Sequence, residues 1–158
     1  METAVKHEVM EIIWPQKTFL TKRAVIGFDK LSTFFTEAYG AIYQALKSTG
    51  TEAREMPFGI YFSVDEIKKE TDVAAAVPVP ETINEMEGFE LVTIPESKAL
   101  LVTYYGSYEN MRPAYEALDK YVADHKFQTQ WMLEEYFSDP AVEKDSSTWK
   151  TNIYFIVK

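Results

Sequence analysis

The sequence predicts an α+β fold: two similar strand–helix–strand–strand halves that form an antiparallel sheet with two helices packed on it. Three observations predict it. The chain repeats itself, since Phe58-Gly59-Ile60-Tyr61-Phe62-Ser63 returns as Leu133-Glu134-Glu135-Tyr136-Phe137-Ser138 about 75 residues later. Arg23-Ala24-Val25-Ile26 returns at the same offset as Lys98-Ala99-Leu100-Leu101, and Tyr43-Gln44-Ala45-Leu46 slightly closer as Tyr115-Glu116-Ala117-Leu118. Each half reads in the same order, with apolar runs of strand length on either side of one helical stripe. Two copies are too few for a solenoid, so the repeat points to one domain over residues 1–158. Its halves are about 17–80 and 89–158, with 81–88 as the linker.

Each element has its own signal. Met1 to Gln16 is mixed in character and is expected to form an arm. A strand runs from Lys17 to about Phe28. A helix follows from roughly Thr33 to Thr49, with Phe35, Tyr39, Ile42 and Leu46 at helical spacing and Gly50 as its stop. Phe58 to Ser63 is a strand, Asp65 to Asp72 a charged turn, and Val73 to Val79 a strand. Pro78 confines that last strand to an edge or a strand end. Phe89 to Tyr105 reads as a strand pair or bent strand broken near Pro95. A second helix runs from about Glu109 to Lys126, with Met111, Tyr115, Leu118 and Val122 on one stripe. Pro113 belongs in a first turn, which moves the helix start toward Asn110. Trp131 to Phe137 is a strand, Ser138 to Ser147 a loop, and Thr148 to Val157 the closing strand.

Composition narrows the function. The 158 residues are 46% hydrophobic and 15% aromatic, enough for a core and an aromatic-lined cavity. The net charge is -9 and no basic stretch stands out, so phosphate-neutralising nucleic-acid binding is not expected. There is no cysteine, which removes disulfides and thiolate chemistry and fits a reducing cytoplasm. The N-terminus shows no signal-peptide pattern, and no apolar run is long enough to span a bilayer. A cytoplasmic protein is the expectation, with no membrane role.

The chemistry concentrates in one strand. Where the first half has Gly59, the second has Glu134 inside an apolar run. Side chains alternate along a strand, so Met132, Glu134 and Tyr136 share one face while Trp131, Leu133, Glu135 and Phe137 share the other. One glutamate must therefore point the way the apolar residues point. Either both are solvated at an edge, or Glu134 floors an aromatic cavity. There a ligand cation or tyrosine hydroxyls would stabilise its carboxylate, and aromatic faces would add cation–π attraction. His7 and His125 are the only histidines and lie far apart in sequence, so no metal or other cofactor is expected. No glycine-rich phosphate loop or nucleophile elbow occurs. The charge run Asp65 to Glu70 reads as a solvated turn. The stripe Phe34, Phe35, Tyr39 and Tyr43 reads as core more than pocket.

Three segments in order resemble a known family. They are Tyr105-Gly106-Ser107-Tyr108 before a helix, Leu133-Glu134-Glu135-Tyr136-Phe137-Ser138-Asp139-Pro140, and Thr151-Asn152-Ile153-Tyr154-Phe155-Ile156-Val157. Together they resemble the GyrI-like small-molecule-binding domain, which also serves as the effector-binding part of bacterial regulators of the MerR and AraC classes. The resemblance covers roughly Lys17 to Lys158, and Glu134 with Tyr136 matches its most specific motif. It implies an aromatic ligand cleft around Glu134, taking apolar, often cationic or planar compounds. Tyr136, Tyr105, Tyr108 and Trp149 are the implied wall residues, with Tyr61 a weaker one. Family regulators carry a fused helix-turn-helix domain, and the segment before Lys17 is too short for one. A stand-alone binder without direct nucleic-acid contact is the first expectation, with a protein partner as an option. Two alternatives remain. One is a hydrolase of strained cyclopropane-bearing genotoxins using Glu134 as acid or base. The other is a protein-binding inhibitor of a DNA-acting enzyme such as gyrase. Two positions depart from the family pattern: Ser107 and Ile156 stand where proline is frequent.

Overall fold

A computed structural model of the protein describes residues 7–53, 55–139 and 142–158. The start of the expected arm, residues 1–6, and Pro140 of the motif lie outside the described residues. In chain order the elements are β1 (Met10–Trp14), β2 (Lys17–Gly27), α1 (Leu31–Ser48), β3 (Phe58–Asp65) and β4 (Glu70–Val79). They continue with β5 (Glu90–Ile94), β6 (Ser97–Tyr105), α2 (Arg112–His125), β7 (Thr129–Tyr136) and β8 (Lys150–Val157). The fold is α+β with antiparallel pairing, as expected.

The chain divides into two compact units. Pro15–Glu96 forms one, and the segment ending at Trp14 joins Ser97–Lys158 in the other. In the first, β4 pairs with β3 and β2, and β2 also pairs with β5. In the second, β8 pairs with β7 and β6, and β6 also pairs with β1. The two orders correspond strand for strand. β1 is a correction to the expected arm. Met10, Glu11 and Ile13 are exposed, Ile12 is half-buried and only Trp14 at its end is fully buried, so its alternation is too weak to read. Phe89 to Tyr105 resolves into β5 and β6, broken at Pro95 and Glu96, and the two strands belong to different units.

Pairing registers test the repeat. Val79 lies opposite Thr18, and Val157 opposite Lys98. Counting back from these two strand ends, Ala75 and Ile153 are equivalent, and their partners are Gly59 and Glu134. The long repeat is therefore real at residue level. Leu46 and Leu118 match as well, each fully buried in its own unit's core. The match of Arg23 with Lys98 is a correction, because the pairing makes Lys98 equivalent to Thr18. A four-residue apolar alternation fits a strand in more than one register.

Local chemistry explains the remaining elements. The β3–β4 ladder stops at Ala76, so Pro78 sits where no β3 hydrogen bond is needed. Val73 through Ala76 is buried where β4 is paired on both sides, and Val77, paired with β2 alone, is buried in the core under α1. In the charged turn, Asp65 Oδ1 accepts from the backbone N–H groups of Ile67 and Lys68, and Ile67 is 95% exposed. α2 opens with Pro113 in its first turn. It covers Leu100, Val102, Ile153 and Phe155 through Ala114 and Leu118, while α1 covers Leu20, Ala75 and Val77 through Ala38, Ile42 and Leu46.

Leu118→Ala and Leu46→Ala should each cost about 2–5 kcal/mol, because both side chains fill closed cores. Ile67→Ala, at an exposed turn, should stay within about 0.5 kcal/mol. Urea unfolding midpoints check the contrast, and equal losses at all three positions would contradict these core assignments.

Candidate ligand-binding site

Strand alternation decides where Glu134 points. In β7, Met132 lies opposite Phe155 and Glu134 opposite Ile153, and both partners belong to the core under α2. Glu134 therefore faces the helix side, and it is buried at 7% exposure. Two phenols meet it there. Tyr136 Oη donates to Oε1 at 2.7 Å, and Tyr115 of α2 donates to Oε2. An ionised carboxylate only accepts hydrogen bonds, and each of the two oxygens here has a phenol donor. Glu135 faces the other way, where it accepts from Tyr154 Oη at 2.7 Å. Burial first, and then that bond, push the Tyr154 hydroxyl well above the ordinary tyrosine range.

Aromatic rings continue outward from Tyr136. Tyr108 meets Tyr136 edge-on, with centroids 5.7 Å apart, and lies tilted on Trp149 at 5.1 Å. Tyr108 is 37% exposed overall, and its hydroxyl is shifted above the ordinary range, first by partial desolvation and then by the negative charges of Glu134 and Asp139. Trp149 is tied down by its indole N–H, which donates to the Glu143 carbonyl at 2.8 Å.

A tight turn places Tyr108. Gly106 adopts φ +145°, and a Cβ there would stand 2.6 Å from Tyr104 Oη. Glycine lets Tyr104 fold over the turn and donate to the Ser107 carbonyl at 2.7 Å. The Gly106 N–H donates to the Trp149 carbonyl at 2.9 Å, which joins the turn to the start of β8. Ser107 has φ -72°, within the range proline takes, so this departure leaves the turn's shape intact. Ile156 is fully buried within β8, opposite Ala99 and Trp131.

The structure thus gathers Glu134, Tyr136, Tyr108 and Trp149. It does not bring Tyr105 to them. Tyr104 is buried under α2, so Tyr105 alternates to the opposite face and is 62% exposed. Tyr61 lies in β3 of the other unit, opposite Val73 and beside a register irregularity. Tyr115 is the member missing from the sequence reading, although its repeat with Tyr43 had marked it. Among the described residues, no group of three or more His, Asp or Glu side chains is arranged to hold a metal. No described helix is long and apolar enough to cross a membrane.

A family model, the GyrI-like small molecule binding domain, matches residues 8–158. The chain belongs to the GyrI-like family. Solved structures show the same fold. The GyrI-like chain aligns with the EcmrR C-terminal domain at TM-score 0.84 and 21% identity, covering 98% of this chain and 99% of that one. Against EcmrR in its DNA complex it covers 96% of itself and spans 57% of that chain, at TM-score 0.83 and 21% identity. A hydrolase encoded by lin2189 from Listeria innocua aligns at TM-score 0.71 and 13% identity, covering 98% and 94% of the two chains. SAV2435 bound to tetraphenylphosphonium aligns at TM-score 0.64 and 14% identity, with the same coverages. No curated protein sequence matches the chain significantly.

Gly106→Ala should cost roughly 1–3 kcal/mol through strain and the clash with Tyr104, and should shift tryptophan fluorescence as the Tyr108–Trp149 contact loosens. An unchanged melting temperature and emission would contradict this view of the turn. Glu134→Gln removes one of the charges that raise Tyr108, so its titration should move down toward the ordinary value. The raised hydroxyl favours the fold below the unfolded tyrosine pKa, and that contribution fades as pH climbs through the folded pKa. Near-ultraviolet absorbance against pH, with Tyr108→Phe to assign the signal, reads the shift. A Tyr108 titration unmoved in Glu134→Gln would show that Glu134 carries no charge felt there.

Proposed function

We propose that this GyrI-like domain binds apolar organic cations, with Glu134 as the charged contact and Tyr108, Tyr136 and Trp149 as aromatic walls. One observation carries the reading: a buried carboxylate whose two oxygens each accept from a phenol, beside a run of packed rings. Burying a carboxylate costs several kcal/mol, roughly, before compensation. Phenolic bonds lower that cost and leave the negative charge in place. A cation meeting it there would gain Coulomb attraction in a poorly screened setting and cation–π contact with the rings. The equivalent position of the other unit holds Gly59, so the carboxylate is not a requirement of the strand. The likeness to SAV2435 bound to tetraphenylphosphonium supports the same ligand class.

A fluorescence panel that pairs a planar cationic dye with an anionic analogue of similar size tests this. The cation should bind more tightly. Glu134→Gln should weaken it by roughly 2–5 kcal/mol, as for other buried charge contacts, and leave neutral aromatic ligands near their starting affinity. Equal affinity for cation and anion, or an indifferent Glu134→Gln variant, would contradict the proposal.

A further inference from the structure

Thr151 is the buried polar group that the site has not used. It is fully buried in β8, and its hydroxyl has no hydrogen-bond partner among the described residues. Such a group costs stability unless something satisfies it, and it calls for an explanation. Its neighbours are known from the register. Thr151 lies directly across from Tyr104 on one side and Tyr136 on the other. Opposed residues share a face, so Thr151 sits on the α2 side together with Glu134. Both flanking phenols are turned elsewhere: Tyr104 donates to the Ser107 carbonyl and Tyr136 to Glu134. Tyr108 packs on both Tyr136 and Trp149, the residues that border Thr151 across the ladder and two places back along the chain.

We infer that the Thr151 hydroxyl is a second polar anchor of this site, specific for cations that carry a hydrogen-bonding group remote from the charge. The inference rests on the reading of Glu134 as the charged contact. Glu134 and Thr151 are diagonal neighbours, since Ile153 opposes Glu134 and Thr151 stands two residues away in β8. Diagonal positions across an antiparallel pair are about 7–8 Å apart, which sets the span between charge and polar group. A hydroxyl both donates and accepts, so a phenol, amine or carbonyl on the ligand would satisfy it. An amphiphilic cation would then be preferred over a wholly apolar one of the same shape.

A matched pair of probes tests this. One is tetraphenylphosphonium; the other is (4-hydroxyphenyl)triphenylphosphonium, which adds one hydroxyl opposite the charge. Calorimetric affinities should favour the hydroxylated cation roughly 2- to 10-fold in the wild type, the worth of one net hydrogen bond. Thr151→Val should bring the ratio to about one, while Thr151→Ser should retain it. Glu134→Gln should weaken both cations and leave the ratio standing. Thr151→Val should also melt higher without ligand, because it removes an unsatisfied hydroxyl. A wild-type ratio near one, a ratio that survives Thr151→Val, or a lower melting temperature for that variant would overturn the role of Thr151, even with both cations still dependent on Glu134. Cations indifferent to Glu134→Gln would overturn the proposed function, and this inference with it.

Discussion

A buried carboxyl group whose two oxygens each accept from a phenol is the constraint on which the site depends. Glu134 is placed there by strand alternation, and the core beneath α2 surrounds it. Water is largely excluded, so protein groups must supply its hydrogen bonds. They come from two directions: Tyr136 from the same face of β7, and Tyr115 from the helix that covers that face. Helix and sheet therefore meet at Glu134 through a polar contact as well as through Ala114 and Leu118. Loss of either phenol would leave an acceptor underused in a dry setting, where unmade bonds are most costly.

The aromatic surroundings depend on that contact and on one turn. Gly106 lets Tyr104 fold back onto Ser107, and this fixes where the chain leaves β6. Tyr108 follows, and it fits between Tyr136 and Trp149. The Gly106 bond to the Trp149 carbonyl ties the two ends of this arrangement together. Recognition would then follow from ordinary terms, with one charge in a weakly screened place and several π-faces near it. The Listeria hydrolase shares the fold at 13% identity, and a shared fold does not carry a reaction with it.

Much of this was legible in the sequence, for identifiable reasons. Leu46 and Leu118 stood out because helical stripes repeat over several turns, and both side chains are core. Gly59 and Glu134 aligned because six consecutive residues matched, enough to define a register. The four residues at Arg23 and Lys98 were too few, and the ladder shifts them apart. β1 was illegible because only its last residue is fully buried, so its strand character comes from pairing with β6. Tyr105 followed from adjacency to Gly106, but adjacent strand residues face opposite ways. Tyr115 required knowing which helical face meets β7. Thr151 was invisible because threonine is ordinary in strands, and what distinguishes it is a buried hydroxyl without a partner among the described residues.

The most direct measurement is a crystal structure of the protein soaked with tetraphenylphosphonium. The proposed function predicts the phosphonium centre against the Glu134 carboxylate, with Tyr115 and Tyr136 still bonded to it and phenyl groups on Tyr108 or Trp149. A well-ordered cation bound elsewhere, with the Glu134 carboxylate untouched, would contradict it.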